Sequence, residues 1–248
     1  MAEAAGLAIG VVSLVGLFTS CADAIKYIKL GQEFAQEFTT CALRLVNLEL
    51  RLNRWGESMA QYSRAHHLNK EDLASIDKVM VQVKALIAEI NVKSTRLHSK
   101  NSHDSALVVI ERNSDSTVKR IAQSMGLALV KHRKEMNKLK EATMMRKGQW
   151  VIYEREQFRV TIGNISSLID DLDNLYPGVK EVQVALARLD LKEVKDNKDV
   201  KLLMEAIKKE DAILTQLTSE TEGYTISGSS RVHAGNSYGF ADDVATRK

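Results

Sequence analysis

Histidines, two cysteines and a run of aspartates are the residues whose types could carry metal or acid–base chemistry. His66-His67 and the pair His98/His103 lack metal-ligand partners at useful spacing, so they read as surface histidines rather than a zinc site. Asp170-Asp171-Asp173 suggests calcium, but the glycine and terminal glutamate of an EF-hand loop are missing and a solvated helix face is the better reading. Cys21 and Cys41 form neither a disulfide framework nor a metal cluster, which fits an intracellular, reducing compartment. The sequence has no phosphate-cradling glycine loop, HExxH, CxxC or GxSxG. With no nucleophile–base arrangement visible, an enzyme is not expected, nor is a cofactor or a resident metal.

A different chemistry, the partition between protein and lipid, is written at the start of the chain. In EAAGLAIGVVSLVGLFTSCAD the 19 residues between Glu3 and Asp23 carry no charge. As a helix they would reach roughly 28 Å, close to the thickness of a bilayer's hydrocarbon layer. A secretory signal would place basic residues ahead of the apolar run, whereas only Glu3 precedes it. Leu7, Ile9, Val11, Val12, Leu14, Val15, Leu17 and Phe18 favour insertion by roughly 2 to 5 kcal/mol in sum. Gly6, Gly10, Ser13, Gly16 and Thr19 oppose it, so membrane span and soluble core wall stay close to balance. Gly6 and Gly10 form a GxxxG, and with Gly16 they are candidate helix-packing positions in either solvent.

Two further segments could meet a partner. Between Thr117 and Lys147 nine Lys or Arg stand against Glu135 and Glu141. An ordinary solvated helix face explains this cluster; contact of Lys131, Arg133, Lys134 and Lys138 with an anionic leaflet is the functional alternative. Nucleic acid is a weaker option without a groove-reading motif. Near the end, SSRVHAGNSYGF (229–240) alternates Val232 and Ala234 with Arg231 and His233, and Gly235-Asn236 signals a turn. One such unit is too short to fold alone, although stacked between chains it would make a cross-β rung with Asn236 in a ladder. Taken in isolation, the segment reads better as an inert linker.

The elements that must position these segments are mostly helical. The chain has 248 residues, 44% hydrophobic and 27% charged, with one proline and 5% aromatics, enough apolar material for a sizeable core in a mainly α fold. Ile25, Ile28, Phe34, Phe38, Cys41, Leu45, Leu48 and Leu52 predict a long helix from Ala24 to about Tyr62, with Gly31 as a possible break. Trp55 beside Gly56 reads as a core anchor, as does Trp150 in its apolar run. Asn69-Lys70-Glu71-Asp72 predicts a helix start. Leu107–Ile110 and Gly148–Tyr153 predict a small two-stranded element, with a helix over roughly 117–145 between them. A helix from Glu154 must stop near Tyr176 because Pro177-Gly178 follow, and helices over roughly 179–191 and 198–217 complete a bundle. From about Ser219 the composition turns to Gly, Ser and Thr, predicting a disordered tail.

Gly16-Leu17-Phe18, Cys21, Tyr27, Leu30-Gly31, Phe34, Cys41, Leu52, Arg54-Trp55-Gly56, Val108-Val109 and the Tyr176-Pro177 stop together resemble the HeLo domain of the fungal HET-S/HET-s incompatibility proteins. Residues 230–239 of the tail resemble one repeat of that family's prion-forming segment. The resemblance implies a multi-helix HeLo domain over 1–222 and a flexible, amyloid-prone tail over 223–248. It implies a cytoplasmic, amyloid-controlled cell-death effector of heterokaryon incompatibility, in which templating of the tail through Arg231, Val232, Ala234, Gly235, Asn236 and Tyr238 releases the first helix to permeabilise the cell membrane. The alternative is a non-toxic prion or amyloid adaptor whose helical domain regulates assembly. The partners implied are the protein itself or a related amyloid template, a receptor with a similar amyloid motif, and an anionic membrane after activation; a homodimer is permitted and nucleic acid is not expected. The family has two tail repeats, and this chain shows one clear copy. Residues 4–22 are then core wall at rest, packed on the long second helix, and Val12→Asp is expected to disturb that resting state.

Overall fold

Helix α1 (Ala2–Lys26) closes in a turn, Tyr27 N–H donating to Ala24 C=O at 3.1 Å, and the chain then runs straight into strand β1 (Ile28–Gly31). The computed structural model describes residues 2–31, 34–66, 68–100, 109–110, 117–123, 125, 150–152, 154–194, 197–208 and 210–220, with backbone alone for 2–9, 94–100, 65, 91, 109–110, 150, 193 and 197. The long helix expected from Ala24 is thus the end of α1, a strand, and α2 (Phe38–Ala65). The reason is burial: all four β1 residues are buried, so the strand shows no polar alternation, and Ile25 and Ile28 mimic a helical spacing across the turn.

The two expected strands are present as β2 (Val109–Ile110) and β3 (Trp150–Ile152), but they do not pair with each other. Each pairs with β1, giving the order β2-β1-β3. Leu30 faces Ile110 in the antiparallel pair, and Ile28, Lys29 and Leu30 face Trp150, Val151 and Ile152 in the parallel one. The central strand is invisible to a search for short apolar runs between turn residues, because its flank on one side is a helix.

Helix α3 (Lys70–Lys100) begins where the sequence places it. Asn69 Oδ1 accepts from Asp72 N–H at 2.7 Å and Asp72 Oδ2 accepts from Asn69 N–H at 3.3 Å, a reciprocal cap that satisfies two otherwise free donors. Helix α4 covers 117–123 of the expected 117–145, with Val118 and Ile121 inward; Met125, helical and buried, is the one further residue of that expected helix among the described residues. Helix α5 (Arg155–Leu175) buries Phe158, Ile162, Ile165, Ile169 and Leu172 as one stripe at helical spacing, with Leu168 partly buried beside it, while Leu175 at its end is 60% exposed. Pro177 ends α5 and also starts α6 (Pro177–Glu193), since a proline's missing N–H costs nothing in the first helical turn. The last expected helix is divided into α7 (Asn197–Ile207) and α8 (212–220). Asp211 forces the division: its carboxylate caps α8 by accepting from Leu214 N–H at 3.0 Å, which requires a break before residue 212.

Replacing Asn69 by Ala removes one half of the α3 cap. Denaturant unfolding should show a loss of about 1 kcal/mol, with the slope unchanged.

Candidate functional site

The candidate site is the seat of α1. Leu14, Val15, Phe18, Cys21, Ala22 and Ile25 recur at helical spacing and are each no more than 3% exposed, so one face of α1 is sealed in the core. The opposite face looks outward at Val12, 39% exposed, and Ser13. Val11 and Leu17 are partly buried at the edges. The eight candidate insertion residues are therefore divided between two environments, and the side chains of Leu7 and Ile9, like that of Gly6, lie outside the described residues. Val12 lies on this outward face, so Val12→Asp should leave the resting packing largely intact, where the sequence reading of residues 4–22 as core wall expects a disturbance.

α1 lies mainly on α2, and glycine permits the approach. A side chain at Gly56 would begin 3.0 Å from Phe18 Cβ, tighter than ordinary contact. With that space open, the Phe18 ring stacks on Trp55, centroids 5.8 Å apart and planes 8° from parallel. At the other edge Gly10 meets Leu73 of α3, where a Cβ would lie 3.1 Å from Leu73 Cδ1. Gly16 is half-buried. The Thr19 hydroxyl donates to Val15 C=O at 3.1 Å, so this polar group is satisfied inside its own helix.

Trp55 is fully buried and its indole N–H is held. It donates to Asp173 Oδ1 of α5 at 2.8 Å, and Gln183 of α6 donates to the same oxygen at 2.9 Å. Arg51, one turn earlier on α2, donates to Asp170 at 2.6 Å and lies 3.7 Å from Asp173. Burial raises the Asp173 carboxyl above its usual range, against the pull of Gln183, Arg51 and Trp55.

Next to Trp55, Arg54 points the other way into a buried pocket of charge. Its guanidinium pairs with Asp211 and stands 3.5 Å from Asp190 of α6; none of the three is more than 1% exposed. At that separation the Arg54–Asp190 contact is not a good hydrogen bond, and both Asp190 oxygens, Arg54 Nη1 and Arg54 Nε have no hydrogen-bond partner among the described residues. One cation between two carboxylates leaves a surplus negative charge away from water. Desolvation accordingly pushes Asp190 up to about 7, with the negative charges of Asp211 and Glu57 adding to it and Arg54 opposing it. Arg51 also donates to Glu210 C=O and Arg44 to the Glu210 carboxylate, so three arginines of α2 grip the turn that precedes α8. Of these groups the sequence pattern singles out only the run Asp170-Asp171-Asp173, as a solvated helix face, and the structure corrects that reading at Asp173, which is drawn inward by the Trp55 indole and Gln183. Only the i, i+7, i+10 spacing of Arg44, Arg51 and Arg54, which puts the three arginines on one side of α2, could have flagged them.

The thiols here are inert. Burial raises Cys21 to about 12 and Cys41 to about 11, so neither is a nucleophile near neutral pH. Among the described residues no group of His, Cys, Asp and Glu could hold a metal ion, and no helix is long and apolar enough to cross a membrane. The charge-free stretch itself begins ahead of Gly10, the first α1 residue whose side chain is described. The candidate lipid contacts Lys131, Arg133, Lys134 and Lys138, the candidate amyloid residues Arg231 to Tyr238 and the Trp150 side chain also lie outside the described residues.

Three comparisons bear on this geometry. The family model for HeLo, described as prion-inhibition and propagation, matches residues 6–203. Heterokaryon incompatibility protein s of Podospora anserina is 25% identical over 223 residues, covering 89% of this chain and 75% of that protein, and heterokaryon incompatibility protein S of the same fungus is 25% identical over 228. The HET-S N-terminal domain superimposes with a TM-score of 0.68 at 20% identity, covering 84% of this chain and 92% of that structure. A mutant HET-s N-terminal domain gives 0.65 at 22%. At those identities the structures speak to the fold, which is the same.

Two outcomes are expected from the seat. Phe18→Ala should destabilise the protein by about 3 to 5 kcal/mol, read by denaturant unfolding, because a buried ring and its stack are lost together. Asp190 should give an unusual pH dependence. Its folded value lies above the unfolded value of 3.8, so its contribution is full below pH 3.8 and is lost as pH rises toward 7. Melting curves of wild type and Asp190→Asn between pH 5 and 8 should differ in slope, the wild type losing up to about 1.4 kcal/mol per pH unit more than the variant until pH 7.

Proposed function

The chain belongs to the HeLo family, and on that premise we propose that it is a membrane-targeting cell-death effector of heterokaryon incompatibility under amyloid control. The resting form is cytoplasmic, with α1 kept in its seat. Templating of Arg231, Val232, Ala234, Gly235, Asn236 and Tyr238 by a related amyloid, or by a receptor that carries one, disturbs the bundle and frees α1 for an anionic membrane, where Lys131, Arg133, Lys134 and Lys138 meet the headgroups.

The observation that carries this reading is the seat itself. The charge-free stretch of α1 is held by apolar packing against α2, with one face already turned outward, and the Thr19 hydroxyl needs no partner outside the helix. Nothing ionic in residues 4–22 has to be neutralised for a change of solvent. Lipid tails can re-cover Leu14, Val15 and Phe18, so the main loss on release is the close fit at Gly56 and Trp55 rather than exposure to water.

Dye release from anionic vesicles, with and without fibril seeds of residues 219–248, tests the proposal. Wild type should leak only when seeded, and leakage should weaken with added salt as surface charge is screened. Val12→Asp should fold and assemble normally but not leak, because an Asp near the middle of a membrane helix costs about 2.5 to 3.5 kcal/mol. Val232→Pro should fold and fail to template, since proline removes a backbone donor from the strand. Leakage by folded Val12→Asp at the wild-type level would exclude α1 as the membrane element. Seeded assembly of wild type without leakage would favour the adaptor reading.

A further inference from the structure

The buried ion pair of Arg54 and Asp211 joins the end of the helical domain to the seat of α1. α8 is the last described helix before the tail, and its N-terminal cap is Asp211, whose one carboxylate both accepts from Leu214 N–H and pairs with Arg54. Leu214 and Leu217 fix α8 to the core beside it. Arg54 is followed directly by Trp55, the platform on which Phe18 of α1 is stacked. A second link runs through α6, where Asp190 stands by Arg54 and Gln183, two helical turns earlier on the same face, helps Asp173 to hold the Trp55 indole.

We propose that the Asp211–Arg54 pair is the joint through which loss of α8 loosens α1. While α8 is wound, Asp211 is fixed by its capping bond and supplies the hydrogen-bonded counter-charge to Arg54. When α8 unwinds, Asp211 is no longer held at that point, and Arg54 is left in the core with only Asp190 at 3.5 Å. A buried guanidinium without a good partner draws in water or moves toward it, and either change shifts the α2 backbone at Trp55 and Gly56, where α1 has no slack. Phe18 and the rest of the inward face then lose their seat while α5, which packs on α2, α3 and α6 rather than on α1, is retained. This inference rests on the reading of α1 as a releasable helix, and it assigns the residues that control the release.

Cys21 supplies the probe, because it is sealed on the inward face of α1 and can react with a thiol reagent only after α1 lifts. The full-length protein is labelled with a maleimide in the absence of lipid and fibrils, modification at Cys21 is followed by peptide mass, and amide hydrogen exchange is followed in α5 in parallel. Asp211→Asn keeps the capping oxygen and removes the charge. It should accelerate labelling of Cys21 by at least about tenfold with exchange in α5 unchanged. Should that variant fail to fold, Leu217→Ala weakens α8 without altering the charged groups, and the same pair of results is expected. Unchanged labelling of Cys21 overturns the proposal, and so does equal acceleration at Cys21 and in α5, which would mean that the mutation lowers global stability only. Dye release plays no part in these measurements, so the joint and the membrane function can fail separately.

Discussion

Phe18 lies flat on Trp55 because position 56 of α2 has no side chain, and that single close approach sets where α1, α5 and α6 can sit. The tryptophan is too large to be repositioned once its ring is covered by Phe18 and its N–H is bound by Asp173. Asp173 in turn is shared with Gln183, so one indole connects four helices through one apolar and one polar contact. A ring at this position does what a Leu could not, since it offers a broad apolar face and a hydrogen-bond donor in the same plane.

The charge buried beside it serves a different end. Burying Arg54 with Asp190 and Asp211 is costly in desolvation, and such clusters often add nothing to stability compared with apolar residues of the same volume. What they do supply is dependence: each member is tolerable only while the others are in place. Asp190 eases the surplus negative charge by retaining a proton toward neutral pH, and Asp211 stays in place because it also caps α8. The core of this protein is therefore stiff where it is apolar and conditional where it is charged, and the conditional part touches the helix nearest the tail.

The fold shared with the HET-S and HET-s N-terminal domains persists at about one identical residue in five, which is what close-packed cores allow when volume and pattern are retained. Within that frame the small sheet packs on α3 through β3. β1 is its centre although it is only four residues long, because burial on both sides makes backbone pairing with β2 and β3 the only outlet for its N–H and C=O groups.

The sequence alone determined the helices whose signals are local. The Asn69 cap, the α5 stripe and the stop at Tyr176-Pro177 are each fixed by residues within a few positions, and the absence of charge from residue 4 to 22 needs no structure to be seen. It also suggested Trp55 as an anchor beside a permissive glycine. Tertiary structure decided everything that required knowing a distant neighbour. Ile28–Gly31 is a strand rather than a turn of helix because β2 and β3 come from about 80 and 120 residues away to complete it, a distance no local pattern records. Val12 faces out and Val15 faces in although both are valine, since hydrophobicity is a property of a residue whereas burial is a property of its place. Arg54 reads as one more surface charge until the fold brings Asp190 and Asp211 to it, for a counter-charge more than 130 positions along the chain leaves no mark on the sequence around an arginine.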